Sequence, residues 1–471
     1  MSDDSTLTPN THQIRDLLFH PNRLLDKFSI SHLVLISIAL HLFVIPFPQD
    51  SPVFDETYYT KAGLELLNGI ASNPEHPFLG KLWGSLGITA FGNNWFGWRI
   101  PSVIFGALTL IVFYKFANLF LNSRRSLYAS ILLSFDNIFF IHSSLYLLEI
   151  PALFFSIAAF YFYFTKKYKI SALMMGLAIL SKETSFFFLV ALAIYHITIH
   201  IKSRHKNKTY SLTYNSRKTD IKKTAIFLLT LLAVTAAPLW IYDITYQPAA
   251  STKIVVIETV EVDNLDSIIG TTYKSETKKA EIIDNPLTHV LYILQYQSGL
   301  KISDSDTIDQ NHYAWNWILP LPPIEMVYYD VAINKNISTY QNDKLTSSKI
   351  ITTHPIHWAG IGNLPLWIVG FWLIIPVSII AIIYRQNIKF YLMILTWIAF
   401  TYGPYLYISF FVQRIVYPFY FINTIPALAL GLAALGQYSK NNKFTKYFQV
   451  LLLIAVLAWF FWFFPVRILE F

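Results

Sequence analysis

Isolated ionisable side chains stand at the ends of apolar runs in this chain, and they are of the types that move protons and hold anions. Asp55 and Glu56 sit in "SPVFDETYYTKAG" (51–63), directly after the first long apolar run. Arg99 opens a second run in "WFGWRIPS", Glu149 opens another in "LYLLEIPALFF", and Arg414 another in "FVQRIVYPFY". Lys182 and Glu183 lie in "LSKETSFFF", between two runs. A charge at the edge of a bilayer is costly. One alone is explained by snorkelling to headgroups, but several on one face point to function. Their signs suggest the chemistry: carboxylates for acid or base work, cations for an anionic headgroup. Successive helical residues diverge by about 100°, so Asp55 and Glu56 cannot face the same way. Asp55 also stands where a helix N-cap would, before "ETYYTKAGLELLNG", a role compatible with catalysis.

The elements that must position these residues are membrane spans. The chain has 471 residues, 54% hydrophobic and 14% charged, against about 25% charged in soluble domains. Its apolar residues come in blocks close to the roughly 20 needed to cross a hydrocarbon core. "ISHLVLISIALHLFVIPF" (30–47) is the first and "FQVLLLIAVLAWFFWFFP" (448–465) the last. The expected fold class is an all-α polytopic membrane protein of about eleven spans, near 29–47, 99–121, 126–143, 146–164, 169–181, 184–201, 224–243, 362–384, 388–411, 413–435 and 447–464. A cytosolic N-terminal segment (1–28) precedes a transmembrane core (29–246) that includes an outer loop (48–98). A large extracytoplasmic region (247–360) follows, then the C-terminal helices (361–471). In the large outer region "TKIVVIETVEV" alternates like a strand, and the Trp- and Pro-rich part of 302–330 suits a membrane surface.

The net charge of +8 resides in short segments between spans: Arg124 and Arg125; Lys166, Lys167 and Lys169; and "KSRHKNKTYSLTYNSRKTDIKK" (202–223), which holds eight Lys and Arg. That is the positive-inside pattern; it puts the N-terminus in the cytosol and implies no nucleic acid. With no cysteine, thiolate metal sites and Cys nucleophiles are excluded. "HPIH" (His354, His357) and "HITIH" (His196, His200) have spacing that a helix could turn toward a metal, but neither carries a metalloprotease Glu, and no metal ligand or cofactor is assigned. Walker, GxGxxG and GxSxG patterns are missing, which disfavours nucleotide chemistry. "NIS" at Asn336 is a sequon on the outer side, and "NKT" at Asn207 a cytosolic, silent one.

Taken in order, these landmarks resemble the protein O-mannosyltransferases of glycosyltransferase family 39, of prokaryotic or archaeal type. "FDETYY" is similar to that family's Phe-Asp-Glu motif, and "HPFLGK", with His76 and Lys81, to its His-Pro-Pro-Leu-Gly-Lys. "WRIPSVIFGAL" resembles the Arg-containing start of the second span. "SFDNIFFIHSSLYLLEIPALFF" has Glu149 where the family has Asp. "SKETSFF", "HYAWNWILPLPPIEMVYY" (with His312 and Trp315), "GNLPLW" and "QRIVYPFYFINTIPALALG" resemble further family segments. Phe78, Glu149 and Thr184-Ser185 depart from the pattern, and no trefoil-like repeat is visible in the outer loop.

The resemblance implies the GT-C fold and a polyprenyl (dolichyl) phosphate sugar as substrate. A mannose would pass with inversion to a Ser or Thr hydroxyl of an acceptor protein on the extracytoplasmic face of the cell membrane. Asp55 would be the base, Glu56 would position the acceptor, and Arg99, Lys182 and Arg414 would hold the donor phosphate. His76, Lys81, Glu149, His312 and Trp315 are further candidates. Alternatives are transfer of a lipid-linked sugar to a lipid or glycan, as in aminoarabinose transferases, a non-catalytic assembly subunit, and a transporter. The last should place its site near the midplane, commonly between repeats; here the charges gather at one mouth and no repeat is visible.

Overall fold

The computed structural model describes residues 28–206, 214–248, 283–300, 313–319, 326–341, 344–435 and 443–467. Most of the expected N-terminal segment, the strand expected at "TKIVVIETVEV", Asn207 and His312 lie outside them. The helices are α1 (Ile30–Val44), α2 (Glu56–Leu67), α3 (Phe78–Phe91), α4 (Trp95–Ala117), α5 (Ser123–Ser134), α6 (Asn137–Ser144), α7 (Glu149–Phe164), α8 (Tyr168–Ser181), α9 (Phe186–Lys206) and α10 (Tyr214–Thr245). They continue with α11 (Pro286–Gly299), α12 (Leu364–Ile383), α13 (Ile388–Tyr407), α14 (Ile425–Ala434) and α15 (Lys443–Trp462). Strands β1 (Ile70–Ala71) and β2 (Gln247–Pro248) pair in parallel, and β3 (Val327–Gln341) and β4 (Lys344–Ala359) form an antiparallel hairpin.

Among the described residues five helices are long and apolar enough to cross a membrane: Trp95–Ala117, Lys222–Thr245, Leu364–Ile383, Ile388–Val412 and Lys443–Trp462. The helices α6 and α7 are apolar and long enough only together, and they meet at 113°. Ile30–Val44, Tyr168–Ser181, Glu183–Ile199 and Ile425–Ala434 are shorter apolar helices. The core between them is aromatic. Trp397 of α13 meets Phe116 of α4, Phe160 of α7 and Phe188 of α9 at centroid separations of 5.9, 4.7 and 5.5 Å.

The uninterrupted span expected over 126–143 is two helices, with a break at Phe135 and Asp136. Polar groups explain it. Asp136 accepts from Phe139 N (3.0 Å) as the N-cap of α6 and from the Trp367 indole (2.7 Å). The Asn363 amide donates to the carbonyls of Phe135 and Val456, each at 3.1 Å. Backbone freed within a bilayer is tolerated only where protein groups satisfy it, and here Asn363, just before α12, and the Asp136 side chain supply them. The region expected as a span over 413–435 likewise opens irregularly; a 3₁₀ turn, Pro418–Asn423, precedes the ten-residue α14.

Glycines on α3 decide how closely the site elements approach. A Cβ on Gly84 would lie 1.8 Å from Cζ of Tyr146, and one on Gly80 would lie 2.3 Å from the Ser181 carbonyl. Positions 80 and 84 share a helix face. They let α3 seat against the 145–148 segment and against the end of α8, next to Lys182. Small residues at i and i+4 are a common device for close helix contact in membranes.

Candidate active site

Asp55 is the residue before α2 and its own backbone is already helical (φ −64°, ψ −15°). Its carbonyl accepts from Tyr58 N and Tyr59 N, both at 3.0 Å, while its side chain makes no capping bond. The cap reading therefore does not describe Asp55, and its half-buried carboxylate is left to face the site. Burial pushes its pKa up to about 6; the Lys182 charge opposes this and Glu149 adds to it, while His76 and His142 act in the same sense as Lys182. Phe54, one residue earlier, holds a positive φ of 52°. Its ring stacks on Tyr328 of β3 at 4.1 Å and meets Phe419 edge-on at 5.8 Å.

Glu56 points the other way, as the helical divergence requires, and is completely buried. Its carboxylate pairs with Arg99 (Nη2 to Oε2 2.8 Å; Nε to Oε1 3.0 Å) and accepts from Val53 N (3.0 Å) and Tyr146 N (2.7 Å). Arg99, equally buried, also donates through Nη1 to the carbonyls of Ile45 (2.7 Å) and Pro48 (2.9 Å). The pair ties the end of α1, the start of α2, α4 and the 145–148 segment together. The sequence puts Arg99 at a phosphate and Glu56 at an acceptor; in the structure both are buried, and each spends its donors or acceptors on the chain around Asp55.

The break between α8 and α9 supplies Lys182, in extended backbone (φ −156°, ψ 133°). Its ammonium pairs with Glu149 and lies 5.9 and 5.8 Å from the ring centres of Phe419 and Tyr420. Glu149 opens α7 just after the bend, with His142 Nδ1 3.5 Å from its other oxygen, and His142 Nε2 is 3.3 Å from the Tyr328 hydroxyl. His76 pairs with Glu183 at 2.9 Å, tying the first outer loop to this break. Arg414 follows a π-helical turn (Ile408–Val412) and a left-handed Gln413, which redirect the chain inward after α13. Its Nη2 donates to Gln297 of α11, while its buried Nε has no hydrogen-bond partner among the described residues. Lys182 and Arg414 both act electrostatically on Tyr420, whose ring stacks on Tyr405 at 4.9 Å.

Of the sequence candidates, Asp55, His76, Glu149, Lys182 and Arg414 gather at one end of the bundle. Lys81 is close by but engaged: its ammonium donates to the carbonyls of Ser72, Asn73 and His76 at 2.9, 2.6 and 2.9 Å, which shapes the loop before α3. Trp315 stacks between Tyr313 and Phe410, each at 4.3 Å, beside the end of α13. His142, Tyr328 and Tyr420 escaped sequence reasoning. His142 did carry a signal, as a lone ionisable residue within the apolar "NIFFIHSS".

The same arrangement of helices occurs in solved membrane enzymes. The S. cerevisiae protein O-mannosyltransferase complex bound to the sugar donor aligns over 94% of this chain and 89% of that one, with a TM-score of 0.62 at 14% identity. This is the GT-C glycosyltransferase fold. The Archaeoglobus fulgidus oligosaccharyltransferase matches more loosely, with a TM-score of 0.51 at 12% identity over 93% of this chain and 56% of the other. In sequence, residues 75–216 match the family "Dolichyl-phosphate-mannose-protein mannosyltransferase". The polyprenol-phosphate-mannose–protein mannosyltransferase of Mycolicibacterium smegmatis is 30% identical over 125 residues. That alignment spans 24% of this chain and 24% of the relative's length. This GT-C chain thus resembles the mannosyltransferases in sequence over residues 75–216 and in fold over nearly all of its length.

Proposed function

We propose that this GT-C protein transfers mannose from a polyprenyl phosphate to a Ser or Thr hydroxyl of a protein on the extracytoplasmic face, with inversion. The observation that carries the reading is the Asp55 carboxylate, free of capping bonds and half-buried near three basic groups, Lys182, His76 and His142. A hydroxyl is a poor nucleophile at neutral pH and must lose its proton as it attacks the anomeric carbon. Asp55 accepts that proton on the face opposite the leaving phosphate, while Lys182 and Arg414 stabilise the charge on the phosphate as the bond to the sugar breaks. Arg414 has a buried nitrogen unpartnered among the described residues, as an anion-binding guanidinium requires. Arg99 and Glu56 serve as positioning residues.

The orientation has independent support. Each of α4, α7, α8 and α13 has a site residue at, next to or just beyond one end and basic residues at the other: Arg99 against Lys115, Glu149 against Lys166 and Lys167, Lys182 against Lys169, and Arg414, past the π-helical turn, against Lys389. Cations collect on the cytosolic side, so the site end faces out. The test is incubation of purified protein with radiolabelled polyprenyl-phosphate mannose and a Ser/Thr-rich peptide. Labelled peptide that disappears in Asp55→Asn is expected; label on lipid or glycan in place of peptide would favour the aminoarabinose-transferase-like alternative.

A further inference from the structure

A second group of ligand-type side chains lies on the β3–β4 hairpin, outside the site just described. Asp330, His354 and His357 each present one donor atom within 4.8 Å of the others. His357 Nδ1 is 2.9 Å from Asp330 Oδ1, and His354 Nδ1 is 3.0 Å from the same oxygen and 2.9 Å from Oδ2. Asp330 and His357 are direct cross-strand partners and so share a face. His354, three residues before His357 on the same strand, belongs on the opposite face of a regular ladder, because strand side chains alternate.

A bulge overrides that alternation. Val331 pairs with Ile356 and Ile333 with Thr353, so Ala332 alone faces two residues, His354 and Pro355. The extra residue shifts the period by one and swings His354 round to the side of His357; bulges commonly re-aim side chains in this way. Pro355 has no N–H to give to the ladder, so the irregularity costs it no bond there. The site is braced from behind. His357 N donates to the Pro465 carbonyl (2.8 Å) and Arg467 N to the Pro355 carbonyl (2.9 Å), so the segment after α15 makes an antiparallel bridge, Val466 to Ile356, beside the bulge.

We propose that Asp330, His354 and His357 bind a divalent zinc-type cation. Two imidazole nitrogens and a carboxylate oxygen are a zinc ligand set, with about 2.0–2.2 Å to each. Tetrahedral coordination at that length separates donor atoms by about 3.3 Å; the Asp330 oxygens stand 2.9–3.0 Å from each imidazole nitrogen and all three donor atoms lie within 4.8 Å of one another, differences that side-chain rotation can close. Imidazole ligands favour zinc, nickel or copper over magnesium and calcium, which prefer all-oxygen sites. The fourth position is left to water, since these side chains are partly exposed (28% for Asp330, 40% for His354, 14% for His357). Bound metal would lock the bulge to β3 two residues from Tyr328, the ring on which Phe54 rests.

The test uses the full-length chain without a histidine tag, in detergent, stripped with chelator and titrated with zinc chloride by calorimetry. One saturable site per chain is expected, undisturbed by millimolar magnesium, with affinity at least tenfold weaker in Asp330→Asn and His354→Gln. X-ray absorption at the zinc edge of the unmodified chain should show two imidazole ligands, whatever the folding of the variants. Failure to bind zinc saturably, unchanged affinity in both variants, or an edge spectrum without two imidazoles would overturn the proposal.

Discussion

Asp55 and Glu56 share a peptide bond and have opposite fates, which makes them a sharp test of the mechanism. Asp55→Asn keeps the shape of the side chain and removes the base. Turnover should fall by about 10²–10⁴-fold, with donor binding and thermal stability nearly unchanged, as a peptide-mannosylation assay beside a melting curve would show. Glu56→Gln should do the reverse of that pattern. It leaves Arg99 charged, buried and uncompensated, a change worth about 3–5 kcal/mol, so the melting temperature should drop well below that of Asp55→Asn. The raised pKa of Asp55, about 6, sets a pH dependence. The base works deprotonated, so kcat/KM should hold above that value and fall as pH drops through it. An acid limb near 4, the ordinary carboxylate range, would remove Asp55 from the role. At the anion site, Arg414→Lys should raise the apparent KM for the lipid donor, because an ammonium cannot grip two phosphate oxygens in parallel.

The elements show why part of this was legible from sequence and part was not. Asp55, Glu149, Lys182 and Arg414 stood out because each is a lone charge or one of an adjacent pair against an apolar background, and the ends of apolar runs mark the faces of a bundle. The pairing of Glu56 with Arg99 was hidden, since it joins residues 43 apart and depends on which side of α2 each carboxylate leaves. The 113° bend between α6 and α7 was also hidden: the Tyr146 N–H freed there is satisfied by Glu56, 90 residues away in sequence, which sequence periodicity does not report. The spacing of "HPIH" suits a helix, yet it lies on β4, where only the bulge at Pro355 brings its histidines together. Glycine contacts give the test at this scale. Gly84→Ala would drive a methyl group into the Tyr146 ring. Overpacking of this kind costs about 1–3 kcal/mol, and because Tyr146 N also holds Glu56, activity should fall along with stability, by more than the loss of folded protein explains.

Across the whole molecule, the ordering of charge along the helices makes a statement about sidedness that labelling can check. Because the chain has no cysteine, single introduced cysteines report without background. A cysteine at exposed Asn68, after α2, should react with an impermeant maleimide on intact cells; one at exposed Lys166, between α7 and α8, should react only after permeabilisation. The opposite result would invert the membrane orientation and with it the compartment of the acceptor.

The ion pair between Glu56 and Arg99 also bears on how the reaction responds to temperature. Asp55 begins where Glu56 is pinned, so the backbone freedom of that segment is surrendered once, as the chain folds, and is not lost again each time a substrate is attacked. Fixing one residue's backbone corresponds to about 1–2 kcal/mol of TΔS. Loosening the pin without removing charge, as in Arg99→Lys, should therefore appear as a more negative activation entropy, with the activation enthalpy almost unmoved. Eyring plots of the two proteins over the range in which both stay folded would separate these quantities. A change confined to the slope would mean that the pair acts on the bond-making step and not on the search for it.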